Sequence, residues 1–156
     1  MDKIITFKKL PDLISKLTDN RIVLVGGCFD ILHLGHVRFL KAAKKYGTTI
    51  VALESDANLT KHKGHMRPIH KQSERAEVLA SLETVDYVLL LPHFTEDQNY
   101  FELVQQIKPQ LVAITKGDPL LEIKQKQADT VGAKVVIVPK ISTPSTTQLA
   151  KLLKIE

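Results

Sequence analysis

The chain has 156 residues, of which 44% are hydrophobic, with a formal net charge of +5 at pH 7 and a single cysteine. This length is typical of one domain with one core, and the positive charge favours anionic ligands, nucleotides and sugar phosphates as much as nucleic acid. The longest apolar run, at residues 85–91, is too short to span a bilayer, and early lysines argue against a secretory signal. The short apolar run predicts that the protein binds no membrane, and because the lone Cys28 cannot form an internal disulfide, we expect it in the cytoplasm.

The order of apolar segments along the chain predicts alternating strands and helices. An amphipathic stretch at residues 6–18 predicts a leader helix within residues 1–20, packed on a core domain at residues 21–156. Five apolar runs of strand length follow, at residues 21–25, 48–53, 85–91, 111–114 and 134–138. Helical spacing is found at residues 36–46, 71–82, 99–108, 119–131 and 145–153. This pattern predicts an α/β fold, a Rossmann-like five-stranded parallel sheet with helices on both faces.

Polar side chains and glycines follow four of the five predicted strands. They occupy residues 26–30, 54–56, 116–118 and 140–147. In open parallel sheets, ligands bind at the carboxyl ends of the strands, near the point where the strand order reverses. The four segments are therefore expected to meet at one ligand site.

The most informative of these segments continues into a pair of histidines, His33 and His36. Imidazoles three residues apart lie on the same side of a helical turn, and Gly35 between them lets a ligand approach the backbone. At the start of a helix, free N–H groups and the positive end of the dipole favour an anion. An isolated histidine pair is more often an ordinary surface or core feature, so the preceding strand and glycines carry much of this interpretation.

The sequence GGCFDILHLGHVRFLKAAKKYG, at residues 26–47, resembles the signature of the HxGH nucleotidylyltransferases, the cytidylyltransferase-like superfamily. The run KGHMRPI at residues 63–69 is similar to a segment of the bacterial heptose 1-phosphate adenylyltransferases, and glycerol-3-phosphate cytidylyltransferases come next. The segment Lys116-Gly117-Asp118 departs from the heptose enzymes, which have a longer K-G-G-D followed by an aromatic residue. That departure leaves the acceptor open.

The resemblance implies transfer of a nucleoside monophosphate, AMP in preference, from a nucleoside triphosphate to a small sugar or polyol phosphate, with release of pyrophosphate. One alternative is a CTP-dependent enzyme acting on glycerol 3-phosphate or a similar alcohol phosphate. An alternative of another class is a nucleotide-binding module without turnover. A class I aminoacyl-tRNA synthetase shares a similar histidine motif, but the chain is too short for a tRNA-binding body.

The resemblance also implies roles for individual residues. The catalytic residues would be His33, His36 and Lys63. The nucleotide would be bound by Gly27, Cys28, Phe29, Gly35, Lys44, Lys116, Gly117, Asp118, Lys140, Ser145, Thr146 and Thr147. Weaker candidates for substrate binding are Asp30, Lys61 and Arg67.

Several of these residues also have plain structural interpretations. Capping of the following helix is the favoured role for Asp30, and an ion pair that braces the fold is expected of Arg75. Residues 61–65 are predicted to form a mobile basic loop that closes over the site.

The expected partners are ATP or CTP and a small phosphorylated acceptor, and nucleic acid is not among them. Mg²⁺ would enter with the triphosphate, and because it is usually held by phosphates and water, we assign it no protein ligand. The resemblance also implies a homodimer.

Overall fold

The computed structural model describes residues 2–155, in which the apolar runs form one parallel sheet. Its strands are β1 (Ile4–Thr6), β2 (Ile22–Gly27), β3 (Thr48–Leu53), β4 (Tyr87–Leu90), β5 (Leu111–Thr115) and β6 (Lys134–Val138). They are ordered β1-β4-β3-β2-β5-β6, and every pair of neighbours is parallel. The predicted fold class is confirmed, but the predicted count of five strands is wrong.

Helices connect the strands and cover both faces of the sheet. They are α1 (Leu10–Lys16), α2 (Leu34–Lys44), α3 (Asp56–Lys63), α4 (Gln72–Ala80), α5 (Asp97–Ile107), α6 (Leu121–Asp129) and α7 (Thr146–Leu152). One buried cluster joins α1, α5 and α6 to the sheet, and a second joins α2 and α4 to its other face. Among residues 2–155, no helix has the length and apolar character needed to cross a bilayer.

The sixth strand comes from the segment that was predicted to be a leader helix. Ile4–Thr6 pairs with β4, with Ile4 opposite Val88, and a single 3₁₀ turn leads into α1. A run of three residues is too short for its alternation to stand out from the neighbouring helical pattern. The outer residues of the two predicted segments, Met1 and Glu156, lie outside the described part of the chain.

A second difference is α3, which replaces part of the predicted basic loop. Its sequence, DANLTKHK, buries only Asn58 and Leu59, so it lacks the apolar periodicity that reveals a helix. The helix begins at a side-chain cap, in which the backbone N–H of Asn58 donates to Ser55 Oγ. The other predicted elements are confirmed, with ends that differ by at most two residues.

The strand order determines where a ligand can bind. From β2 the chain moves to β3 and β4 on one side and later to β5 and β6 on the other, so β2 lies at the reversal of strand order. Ligands of open parallel sheets bind at the carboxyl edge beside such a reversal. That edge begins at Gly27, where β2 ends.

Candidate active site

A cavity of about 420 Å³ opens at the carboxyl ends of β2, β5 and β6. Nine residues predicted for the site line it: Gly27, Cys28, Phe29, His33, Gly35, His36, Asp118, Lys140 and Ser145. Arg38 and Lys124, which the sequence analysis did not select, line it as well. Three of the four polar segments, at residues 26–30, 116–118 and 140–147, therefore contribute to this cavity, whereas residues 54–56 do not line it.

The turn between β2 and α2 brings the two histidines into contact. His33 is the N-cap of α2, and its Nδ1 accepts a hydrogen bond from the backbone N–H of Gly35 at 3.1 Å. The rings of His33 and His36 stack with centroids 3.8 Å apart, and Phe29 lies 4.9 Å from His36. A side chain at Gly35 would place its Cβ 2.8 Å from Cε1 of His33, so this glycine is needed for the imidazole itself.

Both imidazoles are kept neutral at physiological pH. Burial lowers the pKa of His36 to about 4, and the neighbouring His33 adds to this effect against a small opposing contribution from the Ile31 carbonyl. Burial also lowers the pKa of His33. Because Nδ1 of His33 accepts a hydrogen bond, the proton of its neutral ring belongs on Nε2, where it is available as a donor. Nδ1 of His36 is buried and forms no hydrogen bond of good geometry with any described residue.

The far wall of the cavity carries an ion pair between Asp118 and Lys124. Asp118 Oδ2 lies 2.6 Å from Lys124 Nζ, and its Oδ1 accepts from the backbone N–H of Leu120 at 2.8 Å. Lys116 is exposed and, like Gly117, lies outside the lining of the cavity. Lys124 was missed because nothing in the sequence distinguishes it from Lys126, the other lysine of α6.

A separate basic groove lies between the end of α3 and α7. Its lining includes His62, Lys63, Gly64, His65, Met66, Arg67, Thr147 and Lys151. The predicted catalytic Lys63 thus faces this groove and does not line the main cavity. Thr146 Oγ1 donates to the backbone carbonyl of Ile31 at 3.0 Å, which fastens α7 to the histidine turn.

A family model described as cytidylyltransferase-like matches residues 24–152. The chain belongs to the cytidylyltransferase-like family. Among its relatives, the bifunctional protein HldE of Aliarcobacter butzleri is 38% identical over 96% of this chain and 30% of that protein. The bifunctional protein HldE of Nitratiruptor sp. is 41% identical over 86% of this chain and 28% of that protein. The chain therefore spans less than a third of the length of these curated relatives.

Two solved structures share the fold of this cytidylyltransferase-like chain. The lipopolysaccharide core biosynthesis protein from Thermoplasma volcanium is 27% identical, with a TM-score of 0.62 over 80% of this chain and 98% of that one. The pantoate-beta-alanine ligase from Francisella tularensis has a TM-score of 0.68 over 92% of this chain and 69% of that one. At 16% identity, the second likeness concerns the fold alone. The resemblance inferred from the sequence is confirmed at the level of the family.

In this cytidylyltransferase-like fold, Asp30 binds the loop that follows α3. Its carboxylate accepts from Nε of Arg67 at 2.6 Å and from the backbone N–H groups of Ile69 and His70. The side chains of Arg67 and Asp30 are only 3% and 1% exposed. Burial alone would raise the pKa of Asp30, but these hydrogen bonds lower it below its ordinary value. The prediction that Asp30 caps α2 is therefore wrong, since the N-cap is His33, while substrate binding by Asp30 and Arg67 remains a prediction.

Arg75 braces the edge of the sheet, as predicted. Its fully buried guanidinium donates to the carbonyl oxygens of Cys28 at 2.5 Å and Glu54 at 2.9 Å, and it forms an ion pair with Asp56. The ends of β2 and β3 are thus held together by one side chain. This fixes the backbone immediately before Phe29, whose φ of 47° is left-handed.

Lys44 lies at the opposite end of α2 from the histidines. Its Nζ is 2.6 Å from Asp86 Oδ2, which also accepts from the backbone N–H of Thr49 at 2.7 Å. Thr49 is near the amino end of β3, so this ion pair lies at the edge of the sheet away from the cavity. The prediction that Lys44 reaches the nucleotide phosphates is wrong. Lys61 is exposed on α3 and lines neither the cavity nor the groove.

The low pKa of His36 predicts that acid weakens the folded state. In the unfolded chain the imidazole takes up a proton near its ordinary pKa of 6.5, whereas the folded protein resists protonation until about pH 4. The contribution of the buried neutral imidazole to the free energy of unfolding is fully present above pH 6.5. It is lost as the pH falls to about 4, with a loss on the order of 3 kcal/mol. Urea unfolding from pH 7.5 to 4 should show this loss, and His36→Gln should remove it.

His93→Gln provides the matched control, since it changes an exposed histidine outside the cavity. This variant should keep the pH dependence of the parent protein. An equal pH dependence in the parent protein and in His36→Gln would contradict the burial of a neutral imidazole.

Proposed function

We propose that this chain transfers AMP from ATP to the phosphate of a small sugar phosphate and releases pyrophosphate. The observation that carries the proposal is the stacked, neutral pair of His33 and His36 at the start of α2, in a cavity at the reversal of strand order. The similarity to proteins called HldE and to the KGHMRPI segment of heptose 1-phosphate adenylyltransferases supports a heptose 1-phosphate as the acceptor.

In this reaction an oxygen of the acceptor phosphate forms a bond to the α-phosphorus of ATP. The bond from that phosphorus to the oxygen bridging the α- and β-phosphates breaks, and pyrophosphate leaves with the electron pair. No proton has to be removed from an ionised phosphate, so the protein mainly positions the reactants and neutralises charge. The histidines would donate hydrogen bonds to the α-phosphate oxygens, where charge develops.

The cationic side chains that could bind phosphate lie in two places, the cavity and the basic groove. Arg38 and Lys140 line the cavity that holds the histidines and would attract the triphosphate, while Lys63 faces the separate basic groove. Lys124 is paired with Asp118, so this pair would hold a carboxylate in a fixed orientation beside the nucleotide. A fixed carboxylate of this kind is suited to accept hydrogen bonds from ribose hydroxyls.

The donor set of the site fits a magnesium ion that arrives with the nucleotide. Within residues 2–155, no group of three or more histidine, cysteine, aspartate or glutamate residues could hold a metal. The carboxylate that lines the cavity, Asp118, is already paired with Lys124. Mg²⁺ would thus be coordinated by phosphate oxygens and water, as is usual in such sites, and it would neutralise phosphate charge.

The proposal is tested by measuring pyrophosphate release with ATP or CTP, in the presence of Mg²⁺, and heptose 1-phosphate or glycerol 3-phosphate as acceptor. We expect ATP with heptose 1-phosphate to give the highest kcat/KM. A preference for CTP with glycerol 3-phosphate would favour the cytidylyltransferase alternative. If no pair releases pyrophosphate and His36→Ala binds nucleotide as the parent protein does, the chain is a binding module and the proposal is wrong.

We further propose that the protein acts in the cytoplasm as a homodimer, on the basis of its single cysteine and of the family resemblance. Sedimentation of the purified chain should give the mass of two copies. A monomer at micromolar concentration would contradict the dimer and leave the catalytic proposal standing.

A further inference from the structure

A polar cluster adjoins the histidine turn on the side away from the nucleotide cavity. It consists of Glu54, Asn58 and Tyr100, which belong to the end of β3 and to the first turns of α3 and α5. The backbone N–H of Glu54 donates to the carbonyl of Gly27 at 3.1 Å, so the cluster lies directly beside the end of β2. Because β3 and β5 flank β2 on opposite sides, the cluster and the cavity are separated by the catalytic turn.

The hydrogen bonds within this cluster use all of its donors. The hydroxyl of Tyr100 donates to the carboxylate of Glu54, whose two oxygens lie at 2.9 and 3.0 Å. The amide nitrogen of Asn58 donates to Glu54 at 2.9 Å and to the Tyr100 hydroxyl at 3.1 Å. What the three side chains still offer is lone pairs, on the carboxylate, the hydroxyl and the amide oxygen.

One of these acceptors, Oδ1 of Asn58, is buried without a hydrogen-bond donor among residues 2–155. Asn58 is only 2% exposed, and its Oδ1 accepts no hydrogen bond from any residue in the described part of the chain. Buried polar atoms in proteins nearly always have a partner, and one without a partner calls for a ligand or a water. Glu54 and Tyr100 are partly exposed, so a ligand can approach the cluster from the surface.

The carboxylate of Glu54 influences the titration of a residue in the turn between β2 and α2. Burial raises the pKa of the Cys28 thiol, and the carboxylate of Glu54 raises it further. Burial and the same carboxylate raise the pKa of Tyr100, which therefore stays protonated. Cys28 lines the cavity, so the carboxylate of Glu54 acts on a residue of the cavity wall.

The ligand that this cluster can bind must donate hydrogen bonds. An ionised phosphate has no hydrogen-bond donor and would be repelled by the carboxylate of Glu54, whereas sugar hydroxyls are donors. In-line displacement also places the acceptor opposite the leaving pyrophosphate, on the far side of the α-phosphorus. We infer that Glu54, Asn58 and Tyr100 bind the hydroxyl groups of the acceptor and direct its phosphate towards His33 and His36. This inference rests on the proposed transferase function.

Steady-state kinetics of Tyr100→Phe and Glu54→Gln test the inference, with ATP and heptose 1-phosphate as substrates. Loss of one hydrogen bond to a hydroxyl should raise the KM for the sugar phosphate about tenfold. The kcat and the KM for ATP should stay within about twofold of the parent values. Tyr46→Phe is the matched control, since this tyrosine is 41% exposed and lies just beyond α2, near the opposite edge of the sheet.

A purely structural role for the cluster would give a different result. The KM values for both substrates would then rise together, with a lower midpoint of thermal unfolding, and the inference would be wrong. An unchanged KM for the sugar phosphate in both variants would also contradict it. Propyl phosphate, which has no hydrogen-bond donor for the cluster, should be a poor acceptor, and equal kcat/KM for propyl phosphate and heptose 1-phosphate would overturn the assignment.

Failure of this inference can be separated from failure of the proposed function. A parent protein that turns over sugar phosphate, with variants that keep its KM, contradicts only the role of the cluster. Calorimetric titration of heptose 1-phosphate into protein loaded with a non-hydrolysable ATP analogue measures the site without turnover. Binding that is weakened in Tyr100→Phe supports the cluster, and equal binding in both proteins contradicts it.

Discussion

Replacement of His36 by alanine is expected to lower the kcat for pyrophosphate release by about 10²–10³-fold, the range found when one preorganised donor to a developing charge is removed. A large effect is expected because His36 lines the cavity and its ring contacts those of His33 and Phe29, which fix its position. Since the donor acts mainly in the transition state, the KM for ATP should change much less than the kcat.

Lys44→Met is the control for this experiment, because it alters the same helix at its other end. Its ion pair with Asp86 is partly exposed and should contribute at most about 1 kcal/mol to stability. Activity of Lys44→Met should equal that of the parent protein. A kcat of His36→Ala close to that of Lys44→Met would remove the histidine from the mechanism.

The second large effect concerns stability, through the buried pair of Asp30 and Arg67. Removal of one partner leaves an unpaired charge in a site where both side chains are nearly inaccessible, so Asp30→Asn should lower the free energy of unfolding by about 3–5 kcal/mol. The double variant Asp30→Asn, Arg67→Met should recover part of this loss. Urea unfolding of the two single variants and the double variant measures the coupling directly.

The contribution of this ion pair to the free energy of unfolding is predicted to depend on pH. Because the pKa of Asp30 is lowered in the folded state, its contribution to the free energy of unfolding is present above its ordinary pKa of 3.8 and is lost as the pH falls further. The losses of the two single variants would simply add in the double variant if the side chains did not interact. Additive losses, or a loss from Asp30→Asn within about 0.5 kcal/mol of zero, would contradict the buried pair.

The elements that could be predicted from the sequence are those that bury long apolar runs. β2 to β5 and four helices, α1, α2, α4 and α5, have that pattern, which period and length reveal, whereas β6, α6 and α7 were predicted although each buries a single residue. β1 has three residues and depends on pairing with β4, a contact distant in sequence. α3 is polar and is specified by its Ser55 cap, which the local pattern does not reveal.

In the candidate site, too, some residues could be placed from the sequence and others could not. Positions held by the backbone of the β2–α2 turn, such as Gly27, Phe29 and His33, lie where the motif predicted. Long or charged side chains were harder to assign because their partners come from elsewhere in the chain. Asp30 pairs across 37 residues and Lys44 across 42, and neither partner can be recognised from its neighbours in sequence.

Two consecutive residues of the histidine turn fasten opposite walls of the basic groove. Asp30 holds the segment at Ile69 and His70 that follows α3, and the carbonyl of Ile31 receives the hydroxyl of Thr146 on α7. The groove and the turn therefore share an anchor at Asp30 and Ile31. If the proposed reaction places an anion in this groove, we expect the anion to restrain the turn that carries His33 and His36 as well, which would lower the conformational entropy still to be lost at the transition state.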